Sequence, residues 1–133
     1  MTPLRALLPR LVACLLLALL AGCSSGGDDG GDRAGTPAWA EGMPVAAASE
    51  PPAEARRTLH LIDEGGPFPY ERDGSVFGDF ERLLPRREPG YHREYTVPTP
   101  GSDDRGARRI VTGRNGETYS TDDHYASFTA VPR

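Results

Sequence analysis

The sequence predicts an α+β fold, one N-terminal helix packed on a twisted antiparallel β-sheet. Helical periodicity occurs once, over residues 51–64. Beyond it, Gly, Pro and Asn become the punctuation, and the runs between them are short and rich in β-branched or aromatic residues.

The helix comes first. "SEPPAEARRTLHLIDEGG" opens on a capping-type Ser49 and early prolines, places Ala55, Leu59 and Ile62 at helical spacing, and stops at Gly65 and Gly66. Serine accepts a bond from a free amide at a helix start, proline fits the first turn because its missing N–H would be unpaired there, and glycine takes the left-handed conformation that ends helices. His60 reads as an ordinary surface or half-buried residue of this helix. Next, "GGPFPYERDG" is a turn-rich connection and "SVFGDFERLLP" a strand followed by a loop. "GYHREYTVPTPG", "ARRIVTGRNGETYST" and "HYASFTAV" read as three further strands, the second joined to the third by a connection containing Asn115-Gly116. Together they form a short antiparallel meander without internal repeats.

The start of the chain differs. Arg5 and Arg10 precede an apolar run over residues 11–20, then small residues, which is the layout of a secretory signal and too short for a comfortable membrane span. "LLAGC", ending at Cys23, resembles the bacterial lipobox, in which that thiol is lipidated and becomes the first mature residue. The expected organisation is a signal over residues 1–22, a flexible Gly/Ala/Pro/Asp-rich tether over 23–48 and a folded domain over 49–133. The far end of the tether, around residues 39–45, is a candidate to dock on the domain. The protein is then expected outside the cytoplasm, extracellular or held at the outer face of the membrane through its lipid alone.

Composition excludes some functions. All fifteen basic residues are arginine, against nineteen acids, and loss of Arg5 and Arg10 with the signal would take the net charge from −4 to −6. A uniformly basic nucleic-acid surface is ruled out, so any polyanion contact must be local. Cys14 and Cys23 are the only cysteines, which leaves the domain without a disulfide. His60, His92 and His124 share no metal-motif spacing, and neither a metal nor another cofactor is expected.

Strand alternation brings chemistry together. His92, Glu94 and Thr96 share one face, Arg109 and Val111 point one way and Arg108 and Ile110 the other, while His124, Ala126 and Phe128 share a side of the last strand. Three neighbouring strands thus present Glu94, Arg109 and His124 to one face. Arg105 and Gly106 follow the turn-like "PGSDD", so the chain is expected to curl there and let Arg105 and Arg109 approach one phosphate, whose oxygens suit the planar guanidinium fork. Arg108 is left to solvent or a structural acid. A carboxylate, an imidazole and two guanidiniums on one face suit acid–base cleavage of a phosphodiester.

These residues carry a likeness. Through "GPFPY", "HREYTV", "RGARRI" and "DHYASF" the chain resembles the guanyl-specific microbial ribonucleases, the Streptomyces-type branch of the N1/T1 and barnase superfamily, over residues 51–131. The resemblance implies a helix on a five-stranded antiparallel sheet. It puts Glu94 on the general base, His124 on the general acid, and Arg105 and Arg109 on the phosphate-binding arginines. It puts "FGDFE" on the guanine site: Glu81 accepting from guanine N1–H and the exocyclic amine, amides around Gly78, Asp79 and Phe80 meeting O6, and Phe77 and Tyr125 sandwiching the base. The implied reaction attacks phosphorus with the ribose 2′-hydroxyl, needs no metal, leaves a 2′,3′-cyclic phosphate and spares DNA.

RNA is the implied partner, a small inhibitor resembling barstar a further one, and a monomer is expected. The chain departs from the branch in two ways. It lacks the disulfide usual there between the first strand and the C-terminus, and it has Asp79 and Phe80 where Asn and Arg are common. A weakly catalytic module of the same fold, binding guanine nucleotides or an inhibitor, is the alternative.

Overall fold

A computed structural model describes residues 35–133. The expectations for the signal, Cys23 and the first part of the tether lie outside the described residues. Within residues 36–133 the order is a 3-10 turn at Ala38–Ala40, helix α1 (Ala53–Glu64), then β1 (Ser75–Phe77), β2 (His92–Thr96), β3 (Arg109–Gly113), β4 (Thr118–Thr121) and β5 (Thr129–Ala130). The strands form one antiparallel meander in sequence order.

Helix α1 starts on Pro52 with no side-chain cap, so Ser49 does not have the capping role expected of it. Glu50, Pro51 and Pro52 separate that serine from the first helical residue, out of reach of the free amides it would satisfy. The other end is as expected: Gly65 turns left-handed at φ 80, and the amides of Gly65 and Gly66 bond back to Ile62 and Leu61. The helix buries Ala55, Thr58 and Leu59. With Val97, Ile110 and Val131 these apolar groups make the layer between helix and sheet. Full burial of a residue such as Leu59 stabilises by roughly 1.5–3 kcal/mol.

The segment "ARRIVTGRNGETYST" is two strands rather than one. Asn115-Gly116 lies at the turn between β3 and β4, where the Gly116 amide bonds to Gly113 and Thr112 pairs with Thr118. The sheet therefore has five strands. The last strand shrinks to Thr129–Ala130, because Thr121, Asp123 and Ser127 hydrogen-bond locally and hold residues 122–128 as turns.

The ordered domain also begins earlier than residue 49. Ala46 donates to Ala130 at 2.9 Å, Ala130 donates to Pro44 at 2.8 Å, and Val45 bridges Ala130 in parallel. Trp39 meets Tyr119 edge-on at 5.2 Å. Ala40, Leu84, Val111, Tyr119, Phe128 and Ala130 form a second core on the face away from α1. The candidate docking of residues 39–45 is thus present, through one tryptophan and the backbone hydrogen bonds beside Val45.

Candidate active site

The register fixes the site's floor. Glu94 lies opposite Ser75 on one side and Val111 on the other, and Thr96 opposite Arg109, all with their side chains on the face away from α1. Glu94 is held at both oxygens: Oε2 accepts the Tyr125 hydroxyl at 2.7 Å and Oε1 faces Arg105 Nη2 at 3.5 Å. Arg105 rests on Thr96 Oγ1, which accepts from Nε at 3.0 Å and Nη2 at 2.9 Å. Burial, then the hydrogen bond and charge of Glu94, push the Tyr125 hydroxyl up to about 12.

The curl expected before β3 is present. Gly106 has φ 63, and a Cβ there would sit 2.5 Å from Thr99 Oγ1, so only glycine fits. That turn aims three carbonyls, of Arg105, Gly106 and Arg108, at Arg109 Nη1, at 3.3, 3.0 and 2.8 Å. Arg109 is 2% exposed. Its Nε is buried without a hydrogen-bond partner, and among the described residues no carboxylate lies within ion-pairing distance of it. The nearby acids are engaged elsewhere: Asp104 accepts from Ser102 and Gly106, and Asp123 from Thr121 and Ser127. Arg108 leaves the site for the Pro98 carbonyl and Glu54 of α1, the structural acid expected of it.

His124 reaches the site by another route than strand alternation. It sits in the turn before β5 at φ 54, followed by Tyr125 at φ 72, so the shared side with Ala126 and Phe128 does not exist. The His124 amide donates to Ala107 at 3.0 Å, and Thr121 Oγ1 accepts from the Tyr125 amide at 3.1 Å. Asp123 ties this turn: its carboxylate takes bonds from the Ser127 hydroxyl and amide and from Thr121, which hold its pKa down at about 2.

Across from His124 lies the loop after β1. Asp79, at φ 49, turns its carboxylate onto the amides of Leu83 and Leu84 at 3.0 and 3.3 Å. That oxygen thus braces the loop. Phe80 is 95% exposed, with its ring over Gly78. Phe77, Asp79, Phe80, Glu81, His124 and Tyr125 border one cleft of about 240 Å³. Phe77 and Tyr125 stack on each other, centroids 4.9 Å apart at 29°. A base between two rings needs about 7 Å, twice the contact distance. The pair therefore forms one wall of the cleft and does not make the sandwich expected of it here.

Phe77, Asp79, Phe80, Glu81, His124 and Tyr125 thus border one cleft, Tyr125 links it to Glu94, and Glu94 in turn faces Arg105, while Gly78 lines the neighbouring cleft. Sequence reasoning missed Thr96 as the seat of Arg105, the bond from Tyr125 to Glu94, and Asp123 as the brace of the histidine turn. Only Thr96 had left a signal, its parity with Glu94 on β2.

A sequence model of the ribonuclease family matches residues 36–132. The chain belongs to the ribonuclease family. It is 62% identical over 81 residues to guanyl-specific ribonuclease Sa3 of Kitasatospora aureofaciens, a match over 60% of this chain and 57% of that one, so it spans little more than half the length of that relative. Guanyl-specific ribonuclease St of Saccharopolyspora erythraea is 56% identical over 77 residues, 58% of this chain and 76% of its own. Among solved structures, ribonuclease Sa2 with guanosine-2'-cyclophosphate superposes with a TM-score of 0.65 at 47% identity, over 68% of this chain and 96% of that one. The helix on a five-stranded antiparallel sheet is the fold they share.

Proposed function

We propose that this ribonuclease cuts single-stranded RNA on the 3′ side of guanosine by transphosphorylation. The buried guanidinium of Arg109, with no carboxylate beside it, carries the reading. A desolvated cation is costly unless an anion completes it, and the scissile phosphate is an anion of the right shape for Arg105 and Arg109 together. The guanyl specificity of the relatives supports the same substrate.

Glu94 takes the proton of the ribose 2′-hydroxyl. Its Oε1, held only by the long 3.5 Å contact to Arg105, is the oxygen open to that proton. The 2′ oxygen bonds to phosphorus, the bond to the 5′ oxygen breaks, and His124 protonates the departing oxygen. Arg105 and Arg109 stabilise the charge that builds on the phosphoryl oxygens. The product keeps a 2′,3′-cyclic phosphate, which water opens with the two roles reversed. The base enters the cleft beneath Phe80, where Glu81 accepts from N1–H and the amine, amides around Gly78 to Phe80 meet O6, and the Phe77–Tyr125 pair backs the ring. Asp79 Oδ1 is bound to the Leu83 and Leu84 amides, so that oxygen braces the loop that offers its amides to the base. Short RNAs differing at one base test this: cutting after G alone, with cyclic ends, supports it, and cutting without base preference removes the guanine assignment.

The same proposal keeps Cys23 as a lipidation site holding the enzyme at the outer face of a membrane. Growth with a labelled fatty acid tests it. Label retained by a Cys23→Ala chain would remove it.

A further inference from the structure

The loop after β1 walls a second cleft, of about 380 Å³, on the side away from His124, with Arg82, Arg86 and Arg87 on its rim and His92 in its floor. Two acids border it, and the three arginines outnumber them. Asp79 is bound by loop amides, and Glu88 pairs with Arg114 at 2.6 Å. Arg87 lies 3.9 Å from Glu117 and over the Tyr91 ring, whereas Arg82 and Arg86 have no ion pair among the described residues. In a chain of net charge −4 this is a local concentration of positive charge.

Its position gives it a ligand. His92 and Glu94 are two residues apart on one face of β2, about 7 Å along the strand. On that reading of the site the scissile phosphate takes the Glu94 end, while the loop after β1 leaves the sheet at Phe77, opposite His92, where the cleft is lined by the arginines. A guanosine seated at the loop, its 3′ phosphate among the catalytic groups, directs its 5′ side toward them. Resting on the reading of the site as a guanosine-binding ribonuclease, we propose that this cleft is a backbone subsite for the phosphate on the 5′ side of the bound guanosine. Arg82 and Arg86 pair with its oxygens, so internal guanosines of a strand are held more tightly than a 5′-terminal one.

The experiment titrates the protein with guanosine 3′-monophosphate and with guanosine 3′,5′-bisphosphate, which differ only at that phosphate. The bisphosphate is expected to bind roughly tenfold tighter, the worth of about one charge-assisted hydrogen bond. In the Arg82→Gln/Arg86→Gln chain the advantage disappears while affinity for the monophosphate stays. Equal affinities in the parent, or an advantage that survives the substitutions, overturns the subsite. So does a double variant that keeps the advantage and loses only binding to an acidic inhibitor protein. No turnover is required, so a protein that cuts no RNA sinks the nuclease reading alone, and normal cutting with equal affinities sinks the subsite alone.

Discussion

Two carboxylates on this sheet have nearly the same neighbours and opposite fates. Glu94 meets a tyrosine hydroxyl and an arginine, and so does Glu117, which takes the Tyr91 hydroxyl on Oε1 and faces Arg87 at 3.9 Å. Glu117 is closed: its side chain is 5% exposed, Oε2 accepts the Asn115 amide at 3.0 Å, and Oε2 lies so near Gly113 that a Cβ there would collide with it. Burial alone would raise its pKa, yet the bonds from Tyr91 and from the Glu117 and Asn115 amides outweigh it and bring it below the ordinary value. Glu94 has no backbone donor, and its arginine partner is seated on Thr96, 27% exposed and open to a ligand. Residue type and partner do not separate a structural carboxylate from the one proposed to react. The separating feature is whether its donors are all spent within the chain.

The comparison breaks most sharply by exchanging the losses. Glu94→Gln and His124→Ala are expected to lower kcat/KM for guanosine-containing RNA by about 10²–10⁴ each, with melting curves close to the parent. Glu117→Ala should do the reverse, lowering stability by about 1–3 kcal/mol by orphaning the Tyr91 hydroxyl and the Asn115 amide, while kcat in folded protein stays near the parent. Denaturant unfolding and initial rates on the same preparations read both. Loss of activity in folded Glu117→Ala would erase the distinction.

Smaller effects sharpen it. Tyr125→Phe removes one bond to Glu94, at about 0.5–1.5 kcal/mol, and the expected outcome is a severalfold change in kcat with stability little altered.

Asp123 supplies a pH test. Its pKa is depressed from 3.8 to about 2 in the folded chain, so its contribution is present above about pH 4 and lost as pH falls toward 2. Asp123→Asn should flatten the dependence of stability on pH in that window. The tyrosines give the mirror case. Tyr119, by burial first and then the charge of Glu117, is raised to about 12 like Tyr125, so stability is full below pH 10 and falls between 10 and 12. Absorbance titration should find these two hydroxyls ionising last.

Much of this architecture was legible because it is local or periodic. The helix declares itself through Ala55, Leu59 and Ile62 and its glycine stop, and β2 through the alternation that put Glu94 and Thr96 together. What sequence obscured depends on partners far away in the chain. The strand pattern of "HYASFTAV" yields to Asp123 bonding back to Thr121, and the tether end is captured by a strand more than eighty residues later, Val45 on Ala130. The stacking of Phe77 on Tyr125 is likewise a tertiary contact between residues far apart in the chain, and no pattern in either local stretch shows it.

The most direct test is cleavage of a short RNA holding one internal guanosine by the purified protein with chelator present, beside its Glu94→Gln form. The account predicts a single cut 3′ to the guanosine leaving a 2′,3′-cyclic end, and a loss of at least about 100-fold in the variant. Parental rates in Glu94→Gln, or cuts that ignore the guanosine, would contradict it.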